Sequence, residues 1–165
     1  MHSRKWNRKK DYDILVKWWN QHEFGTVPQE VLPPDGIVVE KDGIPICAGG
    51  LYIGKGTKFA FMEWIVGNKE ANKRDLHQAL KVCIDAIFDL AKSKGMDLVF
   101  TTTGQEALQK RYTKYHGMDL TENSVKTFLK DIKGNTYKKM DWIMDDEQIS
   151  KQNIINSSKD TINDN

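Results

Sequence analysis

Between residues 73 and 94 apolar side chains recur at helical spacing. Leu76, Ala79, Leu80, Cys83, Ile87 and Leu90 fall on one stripe. Asn72 stands before the stripe as a cap, Asp75 lies in the first turn, and Gly95 follows the end. A long helix with one buried face is predicted there. Upstream the period shortens. Residues 36–41 are a β-branched run and 44–53 continue as a second, apolar run beyond Asp42-Gly43, a strong hairpin turn signal. Gly49-Gly50 inside the second run predicts a bulge or a close backbone approach. Residues 58–67 form a third strand that is apolar on both faces except at Glu63, as in a strand covered from both sides. A carboxylate at such a place is either paired or lines a cleft.

The flanks are less regular. Residues 3–10 read as an edge strand with its charges outward. Asp11 then opens a helix, with Leu15, Trp18, Trp19 and His22 on one face and Gly25 at its end. Residues 26–35 hold three of the four prolines, so at most a short turn fits, around residues 29–32. Residues 96–103 read as a buried strand and 105–116 as a second helix, stopped by Gly117. Strand, helix and strand in that order require a right-handed crossover between parallel neighbours. Residues 124–132 and 135–143 flank Lys133-Gly134 as a hairpin, and 145–165 are polar enough for a flexible tail or a frayed helix. The expected organisation is one domain over 1–144 followed by that tail.

Composition narrows the function classes. The chain has 165 residues and a formal charge of only +2, which argues against a dedicated nucleic-acid binder. The run Arg4, Lys5, Arg8, Lys9 and Lys10 could form a basic arm, but a solvated edge explains it as well. Cys47 and Cys83 lie in apolar runs, far from metal-ligand or redox spacing, so no metal site is expected. Two free thiols suit a reducing, cytoplasmic compartment, and no apolar run reaches membrane-spanning length.

The element order, from Trp6 to Ile143, resembles the Gcn5-related N-acetyltransferase (GNAT) family. Phe61-Met62-Glu63 resembles the segment of histone-type members that carries a general-base glutamate. Arg74-Asp75-Leu76-His77-Gln78-Ala79 stands where the family has Gln/Arg-x-x-Gly-x-Gly/Ala; Arg74 and Ala79 match, and His77 replaces a glycine. Leu32-Pro33-Pro34-Asp35-Gly36 with Glu63-Trp64 is also similar to small acetyltransferase-like proteins of bacterial viruses.

The resemblance implies an α/β fold with a single mixed, mainly antiparallel sheet and flanking helices. It implies acetyl-CoA as donor and an amine as acceptor. The pyrophosphate would meet amides from Arg74 to Ala79, including those of Leu76, His77 and Gln78, with charge from Lys73 and Arg74. A solvated first turn is the alternative. The pantetheine arm would pair like a strand along Glu63, Trp64, Ile65 and Val66, and an amide near Ile65 would polarise the thioester carbonyl. Glu63 would take the proton of the amine, unless it is a structural glutamate. The family's thiolate-protonating tyrosine counts to Thr113, so Tyr112 is the candidate acid, one residue off register, with Tyr115 the other neighbour. The competing reading is a binding or interaction module that kept the fold and lost the chemistry. Monomer and homodimer are both open.

Overall fold

The structure is a computed structural model and describes residues 1–121. The expected hairpin over 124–132 and 135–143 and the tail over 145–165 lie outside the described residues. The element order is β1 (His2–Lys5), α1 (Arg8–His22), β2 (Asp35–Lys41), β3 (Ile44–Ile53), β4 (Phe59–Gly67), α2 (Lys73–Ser93), β5 (Leu98–Phe100) and α3 (Glu106–His116). The strands lie in one sheet in chain order. Neighbours from β1 to β4 are antiparallel, and β4 and β5 are parallel across the α2 crossover.

Side chains alternate across the sheet and so build two cores. Ile37, Val39, Cys47, Leu51, Ala60 and Met62 pack under the α2 stripe of Ala79, Cys83, Ile84 and Ile87. Val38, Ala48 and Val66 face the other way, onto Leu15, Trp18 and Trp19 of α1. Trp6 lies on that second face, over Gly36 and Gly50, which are direct cross-strand partners. Its indole N–H donates to the Pro34 carbonyl at 3.4 Å, which fixes the ring. A Cβ on Gly36 would fall inside this buried ring system. Gly36→Ala is therefore expected to cost about 2–3 kcal/mol, read as a lowered midpoint in urea; an unchanged midpoint would contradict this packing.

Three expectations about boundaries are corrected. Helix α1 starts at Arg8, not Asp11, because Asn7 is the cap and its side chain accepts from the Lys9 and Lys10 amides. Asp11 is instead buried, receiving both terminal nitrogens of Arg4 at 2.8 and 2.9 Å and the Asn7 amide at 2.6 Å. The basic run is thus only partly an outward edge: Arg4 also donates to Glu40, and Arg8 to the Leu32 carbonyl. Finally, β5 is three residues long, not eight, because Thr101–Thr103 turn away from β4.

Candidate functional site

Strand β4 is irregular at its middle. Ala48 pairs with Val66 and Gly50 with Glu63, so β4 holds one residue more than β3 over this step. The extra residue is accommodated at Trp64, whose φ is 62°. Such a φ is strained for a bulky side chain and marks a bulge. Met62 and Ile65 consequently face α2, while Trp64 and Val66 face α1. Opposite the bulge, Gly49 leaves the space that the Ile65 and Ile87 tips fill. The double glycine thus marks a close approach, and the extra residue sits on the partner strand.

The seam with β5 opens at the same level. Pairing runs from Phe59↔Leu98 to Phe61↔Phe100 and stops. Beyond it the two chains diverge around a cleft of about 250 Å³. Glu63, Trp64 and Ile65 form one wall, Thr101–Thr103 and Tyr112 another, and Trp19, Phe24 and Val27 close the α1 side.

Glu63 is held at the divergence. Its Oε1 accepts from the Thr102 hydroxyl at 3.1 Å and from the Thr102 amide at 3.4 Å. Burial pushes its carboxyl up, and the hydrogen bonds from Thr102 and the Trp64 amide offset only part of that. Tyr112 lines the same cleft and is 6% exposed. Burial, opposed by a hydrogen bond from Thr101 and reinforced by the Glu63 charge, pushes its phenol up to about 12. Of the three neighbouring candidates on α3, only Tyr112 lines the cleft. Thr113 is exposed and bonds back to the Gln109 carbonyl. Tyr115 is 45% exposed and meets the His77 ring edge-on.

The expected coenzyme residues divide. Trp64 and Ile65 line the cleft, and the Trp64 indole donates to the Tyr52 hydroxyl at 2.9 Å. Val66 is buried against α1 and presents no side chain to the cleft. At the start of α2, Lys73 and Arg74 are exposed. The anion nest proposed over Arg74–Ala79 is placed too late in the chain. The helix begins at Lys73, and the Leu76 amide already bonds the Asn72 carbonyl at 2.9 Å. The amides of His77, Gln78 and Ala79 therefore belong to the helical ladder. Ala79 is buried, Leu76 packs against the α2 core, and Gln78 is exposed. Orphan amides belong to the first turn, and there Arg74's is taken by the Asn72 side chain at 2.9 Å. Lys73 and Asp75 supply the remaining first-turn amides.

At position 77 the family pattern has glycine, and this chain has histidine. A helical Cβ leans toward the N-terminus, so a free ring at 77 would cover the first turn. Here it is drawn toward α3 instead. Arg111, 9% exposed, donates one nitrogen to the His77 carbonyl and another to its Nδ1, both at 3.1 Å. That contact fixes Nδ1 as an acceptor, with the proton on Nε2. Burial lowers the Arg111 guanidinium, and no carboxylate pairs with it among the described residues. Sequence reasoning passed over Arg111 entirely; its only signal was a charged residue next to the apolar face of α3.

No protein-family model and no curated protein matches the sequence. Solved structures do match. Glucosamine-6-phosphate N-acetyltransferase from Arabidopsis thaliana is 17% identical, with a TM-score of 0.57 over 78% of this chain and 98% of its own. A Mycobacterium tuberculosis protein solved with CoA is 14% identical, with a TM-score of 0.60 over 77% of this chain and 76% of its own. An aminoglycoside N-acetyltransferase, also solved with CoA, is 16% identical, with a TM-score of 0.52 over 79% of this chain and all of its own (100%). At these identities the likeness establishes the fold, which is that of the acyl-CoA N-acyltransferases.

Proposed function

We propose that this protein is an N-acetyltransferase that moves an acetyl group from acetyl-CoA to a primary amine. One observation carries the reading: on this fold, β4 parts from β5 beside a half-buried glutamate, and a buried tyrosine lines the same opening. The donor's pantetheine arm would run along Glu63–Val66, where the sheet offers β4 no β5 partner. The bulge takes Trp64 and Ile65 out of the regular ladder, and the Ile65 amide would stabilise negative charge growing on the thioester carbonyl. Glu63 would accept the proton that the attacking amine gives up, directly or through water. Tyr112 lines the opening with its phenol protonated at neutral pH and would protonate the departing thiolate, although burial makes it a weaker acid than a free tyrosine.

The phosphates would approach the first turn of α2, beside Lys73 and Arg74. The second reading, a binding module without transfer, is favoured by one feature: Asn72 already caps the Arg74 amide. A thiol-release assay with acetyl-CoA and a panel of primary amines separates the two. Amine-dependent release of CoA supports transfer; saturable CoA binding with no release at any amine supports the module.

His77 and Arg111 give a more specific prediction. Arg111→Met is expected to weaken CoA binding roughly tenfold by releasing the His77 ring over the first turn. His77→Ala in the same background should recover most of the loss. Calorimetry on the two single variants and the double variant checks this, and purely additive losses would contradict it.

A further inference from the structure

We infer that the acceptor is a small primary amine bearing a single positive charge on an aromatic or branched apolar body. The proposed transferase chemistry supplies the reaction; the binding recess itself is read independently of it.

The recess is the α1 side of the cleft. Trp19 is buried there, but Phe24 is 39% exposed, a large apolar ring at the rim. The ring is held in place. Glu23 and Gly25, with φ of 58° and 71°, reverse the chain on either side of it. His22 stacks on it at 5.0 Å with the planes 19° apart. The same imidazole bonds the Gly67 carbonyl at 2.9 Å, so that Nε2 carries the proton and the rim is tied to the end of β4. A second tie runs from Lys69, whose amide and ammonium reach Gln21 at 3.0 and 3.1 Å.

The recess beside Glu63 is therefore lined by ring and alkyl surfaces: Trp19, Phe24 and Val27 on the α1 side and Trp64 on the Glu63 wall. Ring faces attract an ammonium group and bury an apolar body. Glu63 is the sole carboxylate on the cleft wall among the described residues, and no lysine or arginine lines it. It can balance one positive charge. Among the described residues the cleft wall offers a second ammonium, or a phosphate, no counter-charge, and desolvation would disfavour either. The cleft is about 250 Å³ and open on one side. A single ring on a short arm fits that space.

The test uses 2-phenylethylamine, glucosamine 6-phosphate, spermidine and a lysine peptide as acceptors with acetyl-CoA. The expected kcat/KM for phenylethylamine is at least about tenfold above each of the others, as a matched apolar pocket provides. Phe24→Ala should raise its KM roughly tenfold with kcat little changed, and Phe24→Leu should keep most of the affinity. Preference for the phosphorylated, polycationic or peptide amine would overturn the inference and leave the transferase reading standing. If no amine is acetylated, the transferase reading falls, and calorimetric titration of phenylethylamine into the protein decides the recess. Binding that is lost in Phe24→Ala supports it, and no binding overturns it.

Discussion

Replacing Glu63 by glutamine is expected to slow acetyl transfer by about 10²–10³-fold, the usual worth of a positioned general base. CoA affinity should stay within about twofold, because an uncharged amide of the same shape leaves the seam intact. The pH dependence follows from burial. Glu63 must be ionised to take a proton, and burial pushes its carboxyl above the ordinary range. In the wild type kcat/KM should therefore fall as pH drops through that raised value, and the variant should lack this limb. The same burial has a stability consequence of the opposite sense. A carboxyl raised by folding favours the folded state when protonated, and that contribution is lost as pH rises through the folded value. At neutral pH, Glu63→Gln should thus unfold at the same temperature as the wild type or a higher one. Equal turnover by wild type and variant would remove Glu63 from the chemistry.

The largest stability effect is expected at Asp11. Burial alone would raise this carboxyl, yet the Arg4 guanidinium and the Asn7 amide outweigh burial and hold it below the usual carboxylate range. Asp11→Ala leaves Arg4 with Glu40 and the Lys5 carbonyl and removes its tie from β1 to α1. Because Arg4 keeps partial access to water, the cost should fall at the lower end of that for breaking a buried pair, about 3 kcal/mol. For a domain of this size that is a fall in Tm of roughly 10 °C. The sign of the pH effect is the usual one for a depressed carboxylate. Its stabilisation is present above the unfolded value and disappears as pH falls through the folded one. Acid unfolding of Asp11→Ala should accordingly start from a lower plateau and show a shallower limb. A loss under about 1 kcal/mol would mean the cluster is solvated.

Local chemistry explains which parts were legible in advance. Asp42-Gly43 fixed the β2–β3 hairpin, and the apolar stripe with its Asn72 cap located α2 within a residue or so. A glutamate inside an apolar strand pointed to the cleft without any knowledge of its partner. The errors came where a distant residue decides. Asp11 looked like a helix cap because its real partner, Arg4, belongs to β1 rather than to the helix. Residues 101–103 looked like strand because three threonines suit one, yet Thr102 bonds Glu63, and Thr103 bonds the Gln105 amide at the entry to α3. The anion nest was placed too late because the glycine-type pattern was anchored on Arg74 and Ala79, whereas the helix starts at Lys73. Arg111 had only the faint signal of a charge beside the apolar face of α3, and Phe24 had none. Their roles rest on contacts with His77 and His22, more than thirty residues away in one case and two in the other.

The most direct test is a titration of acetyl-CoA into the protein, followed by calorimetry and by thermal unfolding. Saturable heat is predicted, with a Tm that climbs as ligand is added and a stabilisation of about 2.7 kcal/mol at a hundredfold excess over Kd. A flat calorimetric trace with an unmoved Tm at millimolar ligand would mean that the parted strands hold no coenzyme.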